Sequence, residues 1–338
     1  MGVSINRWQF GTLPHGPRNL ITDVKGVRVG HVTLSGNGQE TGVTAVLPHG
    51  GNLFRSKVAA AVHVINGFGK SAGLIQVQEL GTIETPILLT NTFAVGASVD
   101  GLVTYMLAQN PEIGDTTGTV NPLVLECNDG VINSIRQRVV TESHVLSAIS
   151  AAAEDFAEGA VGGGRGMRCY GLKGGIGSAS RQFPIGDSVY TVGALLMTNF
   201  GCLADLRICG ENIGKRLAAD CGEAERGSVI VLLATDLPLS VHQLERAARR
   251  AQNGLARTGS YTANGSGEIA VMFSTANQIP HWSCEPVSAF HCIHEDMLDR
   301  VFQAVTECVE ESVVSSLLHA IPMSDRSGKP VHSLMELL

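Results

Sequence analysis

Residues 228–235 read Ser-Val-Ile-Val-Leu-Leu-Ala-Thr, and no charged side chain interrupts them. Successive side chains of a strand point to opposite faces. A strand with one face in water would alternate apolar and polar residues. This run does not, so both of its faces must be covered. Comparable runs recur at Val43–Leu47, Val58–Ile65, Ile87–Thr90, Leu123–Glu126, Thr191–Met197 and Glu268–Ser274. Sheets made of such strands need a layer on each side, which points to an α/β or α+β layered domain.

Helical patterns lie between these runs. Thr92 is placed to cap a helix running toward Gln109, and Val140–Glu158 is Ala-rich with helical spacing. Ser240-Val241-His242-Gln243 has the capping-box pattern ahead of Leu244–Arg257. Residues 295–319 line up Leu298, Val301, Phe302, Val305, Cys308 and Val309 on one face, with acids on the other. The stretch 208–227 is polar and rich in small residues. It is the most linker-like part of the chain, and exposed loops of this kind are where chains are nicked.

Composition removes several function classes. The chain has 338 residues, 44 % of them hydrophobic, enough for one large domain with a substantial core. Its net charge is −7 with no basic run, which argues against a nucleic-acid partner. No apolar stretch is long enough and free enough of charge to be expected to cross a membrane. The opening MGVSINRWQF lacks the apolar segment of a secretory signal, and Asn6 stands where myristoylation needs Ser or Thr. The eight cysteines are scattered without a C-x-x-C pair. They read as reduced, mostly buried thiols, and a cytoplasmic location is expected.

Glycine is over-represented, at 40 residues or about 12 % against a usual ~7 %. Asn66-Gly67-Phe68-Gly69-Lys70-Ser71 resembles a phosphate loop, but Val64 stands where that motif needs its first glycine. Gly162-Gly163-Gly164-Arg165-Gly166 and Gly174-Gly175-Ile176-Gly177 do not make a dinucleotide fingerprint, and close backbone packing is the better reading. No H-E-x-x-H or other ligand spacing predicts a metal, and Gly177-Ser178-Ala179-Ser180 lacks the last glycine of a nucleophile elbow. No cofactor and no metal are expected.

Gly227-Ser228, at the mouth of the long apolar run, admits a sharper reading. A serine hydroxyl is a weak nucleophile unless a base takes its proton. At a free N-terminus the residue's own α-amine can be that base, with an ordinary pKa of about 7.7–8.0. Exposing that amine requires the chain to cut itself: Ser228 Oγ attacks the Gly227 carbonyl and water resolves the ester. The plain alternative is a loop ending where a strand begins.

Motifs along the rest of the chain bear on that choice. Asn19-Leu20-Ile21-Thr22-Asp23, Val27-Arg28-Val29-Gly30-His31, Thr41-Gly42-Val43-Thr44 and Asn66-Gly67-Phe68-Gly69 come first. Glu126-Cys127-Asn128-Asp129-Gly130, Lys173-Gly174-Gly175-Ile176-Gly177-Ser178-Ala179-Ser180-Arg181 and Thr198-Asn199-Phe200-Gly201 follow. Gly227-Ser228, Ala234-Thr235-Asp236, Asn264-Gly265-Ser266-Gly267-Glu268 and Phe273-Ser274-Thr275-Ala276-Asn277 complete the set. In this order they resemble the DmpA-type family, the L-aminopeptidase/D-esterases and β-peptidyl aminopeptidases.

The resemblance implies a four-layer αββα sandwich of the self-cleaving N-terminal-nucleophile-like type. It implies a single domain cut into an α chain, 1–227, and a β chain, 228–338, assembled as a homotetramer of αβ units. By position, Ser228 matches the nucleophile and Asn199 the oxyanion-stabilising asparagine. Ser266 and Glu268 match the pair that orients nucleophile and amine, and Glu126 the acid that receives the substrate's amino group. Asn128 stands where some members carry a tyrosine whose hydroxyl joins the oxyanion hole. The implied activity is removal of an N-terminal residue from a short peptide, amide or ester with a free amine. Two alternatives stay open: an acyltransferase of the ornithine acetyltransferase type, whose nucleophile is usually threonine, and a binding protein that does not cleave itself.

Overall fold

The structure, a computed structural model, describes residues 8–217, 227–282 and 285–338. The first seven residues, Cys221, Cys284 and the polar approach 222–226 lie outside them.

Two sheets face each other. The first runs in the order β1 (Arg28–Gly36), β2 (Gln39–Leu47), β5 (Ile87–Asn91), β6 (Leu123–Cys127). The second runs β4 (Thr82–Ile83), β3 (Ser56–Gly67), β12 (Ser266–Pro280), β11 (Gly227–Thr235), β10 (Ser188–Asn199), β9 (Ile176–Ile185). Two short ribbons pair β7 (Arg168–Cys169) with β8 (Leu172–Lys173) and β13 (Met323–Ser324) with β14 (Pro330–Val331). Helices α2 (Val95–Gln109) and α3 (Glu142–Ser150) pack on the outer face of the first sheet. Helices α5 (Val241–Ala248), α6 (Ala251–Arg257) and α7 (Leu298–Leu318) cover the outer side of the second. Short helices α1 (Leu74–Leu80), α4 (Ile213–Leu217) and α8 (Leu334–Leu337) lie in the connections. The layers are αββα, as the family resemblance implies.

β11 accounts for the run that opened the argument. Val229, Val231 and Leu233 enter the core under the helices, while Ile230, Leu232 and Ala234 enter the core between the sheets. Burying each of the larger side chains contributes roughly 1.5–3 kcal/mol, so both faces select for apolar residues.

The expected strands all form, and the longer strands β1 and β9 are added beside five two-residue ones. β9 reads IGSASRQFPI and looks like a polar loop. Its Arg181 is fully buried, with Nε 3.0 Å from Glu307 and Nη2 2.6 Å from Glu311, both on α7. The acids of α7 are therefore not a solvated face: Glu307, Glu310 and Glu311 are buried, the last two facing Arg257 and Arg181 respectively.

Three helix expectations change. Asn91, not Thr92, caps the start of the α2 region, its Oδ1 accepting from Phe93 N at 3.0 Å and Ala94 N at 3.1 Å. The expected helix over 140–158 is confined to Glu142–Ser150, because Ala153 leaves it to exchange backbone hydrogen bonds with Val29 of β1. The Ser240 capping box forms, but the helix behind it breaks at Arg249–Arg250. The break turns α6 onto α7, where Gly254 permits close approach to Thr306 and Val309.

The cysteine expectation also needs correction. Cys127, Cys169, Cys209, Cys292 and Cys308 are free thiols, but Cys202 is disulfide-bonded. Among the described residues no helix is long and apolar enough to cross a membrane.

Candidate active site

Neighbouring strands in the middle of the second sheet bring the candidate residues together. Ser228 lies directly opposite Asn199 of antiparallel β10 and beside Gly267 of parallel β12. Ser266 pairs with Gly227 and Glu268 with Val229, so the Ser266–Glu268 pair brackets the Ser228 main chain. Ser228 shares the alternation of Ile230 and Leu232, which places its side chain between the two sheets. It is 5 % exposed, and its Oγ is buried without a hydrogen-bond partner of proper geometry. The fully buried Cys127 thiol on β6 is near enough to interact weakly with it, and burial pushes that thiol far up, so it is no competing nucleophile. A buried polar atom left unpaired is uncommon, and such atoms mark strain, missing ligands or catalysis.

The residue ahead of Ser228 must be glycine. A Cβ on Gly227 would overlap the Asn199 carbonyl oxygen and crowd the Phe200 α-carbon. The bond between Gly227 and Ser228 thus sits where two strands approach more closely than side chains allow.

Asn199 is oriented through both ends of its amide. Its Oδ1 accepts from Arg168 N at 3.0 Å, and its Nδ2 donates to Asn128 O at 3.0 Å. A backbone N–H can only donate, so the oxygen and nitrogen of this amide cannot be exchanged. Nδ2 keeps a second hydrogen for another acceptor. Asn128 offers its main-chain oxygen to Asn199, while its side-chain Oδ1 accepts from Gly130 N at 2.9 Å.

On β12, Ser266 Oγ donates to Glu268 Oε1 at 2.9 Å, and Thr262 Oγ1 donates to Glu268 Oε2 at 2.9 Å. Ser266 and Glu268 are fully buried. Burial pushes the Glu268 carboxyl above its ordinary range, and the two hydroxyl bonds offset part of the rise. Strand alternation sets this pair on the helix-side face, away from Ser228 Oγ and against the Ser228 main chain.

Glu126 is the penultimate residue of β6 and is 4 % exposed. Lys70 N donates to its Oε1 at 2.7 Å, and the Thr92 hydroxyl donates to its Oε2. The Asn66–Lys70 segment, which resembles a phosphate loop, links this acid to β12 beside Ser228. Gly67 pairs with Gly267, and Gly69 lies against Glu126 and Ile269. The exposed aromatic rings of Phe68 and Phe93 flank the two donors in sequence.

Sequence reasoning missed Thr92, Thr262, Lys70 N and Arg168 N. The last two are main-chain groups, which carry no residue-type signal. Asp129, beside Asn128, is fully buried, and burial lifts its carboxyl to about 6 against hydrogen bonds from Thr41 and Asn133. Among the described residues no cluster of three or more His, Cys, Asp or Glu is arranged to hold a metal.

The family follows from comparison with known proteins. A model of peptidase family S58 matches residues 19–331. The chain belongs to peptidase family S58. It is 37 % identical over 345 aligned positions to beta-peptidyl aminopeptidase BapA of Sphingosinicella microcystinivorans, covering 94 % of this chain and 86 % of that protein. The crystal structure of the PH0078 protein from Pyrococcus horikoshii OT3 matches with TM-score 0.94 and 49 % identity, covering 100 % of this chain and 98 % of that one. The L-aminopeptidase D-Ala-esterase/amidase of Ochrobactrum anthropi, described as a prototype serine aminopeptidase with a variant of the Ntn hydrolase fold, matches with TM-score 0.91 and 37 % identity. That match covers 97 % of this chain and 94 % of the other. The ordered motifs of the S58 chain therefore reflect membership, and its four layers belong to the Ntn-hydrolase class of aminopeptidase folds.

Proposed function

We propose that this S58 aminopeptidase cuts its own Gly227–Ser228 bond and then uses Ser228 as an N-terminal nucleophile on short peptides, amides or esters bearing a free amine. The observation that carries this reading is Ser228 Oγ itself, buried, unpaired, opposite Asn199 and preceded by a position that only glycine fits.

In self-cleavage, Ser228 Oγ forms a bond to the Gly227 carbonyl carbon as the C–N bond breaks, and the nitrogen takes a proton to become the α-amine. Water then hydrolyses the ester, leaving Gly227 as a carboxylate and Ser228 with a free hydroxyl. In turnover the α-amine takes the hydroxyl proton and Oγ attacks the scissile carbonyl. The second Asn199 Nδ2 hydrogen meets the developing oxyanion. The leaving group takes the proton from the ammonium, and water releases the acyl group. The Ser266–Glu268 pair borders the main chain from which the amine is freed, which suits it to hold that amine. Glu126 supplies a carboxylate for the substrate ammonium, with both oxygens already positioned by Lys70 N and Thr92. Assembly of the αβ units into a tetramer is part of the same reading.

The test is an intact-mass spectrum of the purified protein beside an assay on a free-amine amide substrate. The expected result is two fragments, 1–227 and 228–338, and activity that survives chelators. One full-length chain with undiminished activity would sink the reading.

A further inference from the structure

β7 and β8 form a two-residue hairpin ribbon next to the end of β10, with Arg168 paired to Lys173. Its turn residues Tyr170 and Gly171 have φ of 53° and 73°, and Tyr170 N donates to Phe200 O at 2.6 Å, tying the ribbon to the residue after Asn199. Lys173 is fully buried. Its Nζ donates to Met167 O at 2.7 Å, Gly174 O at 2.6 Å and Gly164 O at 3.3 Å, using all three ammonium hydrogens.

One of these acceptors matters for the site. Met167 O and Arg168 N belong to the same peptide group. The ammonium holds that group by its oxygen, which also accepts from Gly174 N at 3.2 Å, and Asn199 Oδ1 accepts from its N–H at 3.0 Å. A cation on a carbonyl oxygen polarises the amide and makes its N–H a stronger donor. The chain of contacts runs from the Lys173 ammonium, through one peptide group, to the side-chain amide opposite the nucleophile.

We propose that Lys173 is a positioning residue for the oxyanion reaction, acting through the Met167–Arg168 peptide to fix the Asn199 amide with Nδ2 toward the reacting carbonyl. This rests on the role of Asn199 argued above. Burying an ammonium is costly unless it is hydrogen-bonded, and here three carbonyls, Met167 O among them, take its hydrogens. Burial, then the Arg165 guanidinium, draw the Lys173 ammonium down to about 7, while Cys169, Glu40 and Asp129 oppose this. Three charge-assisted hydrogen bonds to carbonyls favour the charged form.

A double-mutant cycle tests it. Lys173→Met, Lys173→Gln and Asn199→Ala are made singly, and each Lys173 variant is combined with Asn199→Ala. Turnover is normalised to Ser228 titrated with an acylating inhibitor, so that partly self-cleaved preparations are still read. Lys173→Met should lower kcat roughly 10- to 100-fold, the scale of a misplaced catalytic group. KM should stay within about two-fold of wild type. Lys173→Gln, which keeps a neutral donor, should fall between. In the Asn199→Ala background neither substitution should lower kcat further, because the amide they position is gone. Losses that multiply across the two sites, or a normal kcat in Lys173→Met, overturn the proposal while leaving the Asn199 role intact. An unchanged kcat in Asn199→Ala alone overturns that role instead. Failure of both Lys173 variants to fold or self-cleave would assign Lys173 to assembly of the loop and overturn its positioning role.

Discussion

The α-carbon of Gly227 lies against the carbonyl oxygen of Asn199 across the β10–β11 ladder, with no room for a side chain between them. The Gly227–Ser228 bond and the Asn199 main chain are thus held to one another by direct contact. Gly227→Ala should force the two strand ends apart, costing about 1–3 kcal/mol as other overpacking changes do. It should also leave most of the chain uncut on a denaturing gel. Ser228→Ala should give a single intact band with near-normal stability. Cleavage of Gly227→Ala at the wild-type rate would mean that the close contact has no part in the reaction.

Asn199→Asp keeps the shape of the side chain but replaces its donor with a carboxylate oxygen facing Asn128 O. Losing one oxyanion donor typically costs ~10²–10³ in kcat. The aspartate should fall below the alanine variant, since it adds a negative charge beside a developing oxyanion. Equal kcat for the two variants would argue that the Asn199 side chain faces away from the reacting carbonyl.

Glu126 has a donor on each carboxylate oxygen, and the proposed role is to receive the substrate ammonium. Acetylating the substrate amine should abolish turnover by wild type. Leaving the desolvated carboxylate unpaired costs on the order of 2–5 kcal/mol. Glu126→Gln should narrow the gap in kcat/KM between free and acetylated substrates. Identical discrimination in the two proteins would place amine recognition elsewhere.

The Asp129 carboxyl is held at about 6 in the folded chain against an ordinary 3.8. A raised carboxyl favours the folded state when protonated. That advantage is full below pH ~4, declines as pH rises, and is gone above ~6. Asp129→Asn should therefore raise stability by on the order of 2–3 kcal/mol at pH 8 and change little at pH 4. Thermal melts at both pH values measure this, and an equal effect at both would refute it.

Arg181→Met should lower stability by about 3–5 kcal/mol, because it strands Glu307 and Glu311 without their shared buried cation. Denaturant titration of the folded protein reads this, and a loss under ~1 kcal/mol, typical of an exposed pair, would contradict it.

Arg181 also illustrates what the sequence concealed. Apolar runs reveal strands buried by hydrophobic layers, so β3, β6, β10, β11 and β12 were legible. β9 carries no apolar run to mark it, and its buried Arg181 meets Glu307 of α7 some 126 positions away. The site divides in the same way. Ser228, Asn199, Ser266, Glu268 and Glu126 could be named as candidates from ordered motifs. The groups that aim them could not, because Arg168 N, Lys70 N and Asn128 O are main-chain atoms whose placement depends on tertiary structure. Cys202 was misread for a related reason: sequence spacing carries no record of which sulfurs meet in space.

If the Gly227–Ser228 bond is cut as proposed, the strand order β4-β3-β12-β11-β10-β9 sets a limit on what the molecule can do afterwards. Strands β11 and β12, which follow the cut, sit between β3 and β10, which precede it. The two pieces are interleaved like fingers of clasped hands, and each supplies the ladder partners the other lacks. While the chain is whole, assembling this sheet is an intramolecular event. Once cut, any complete unfolding separates the pieces, and recovery requires two molecules to meet and insert strands into one another. A cut form would thereby be committed: its lifetime would be governed by how slowly it opens, and its renewal would depend on fresh synthesis of the uncut chain.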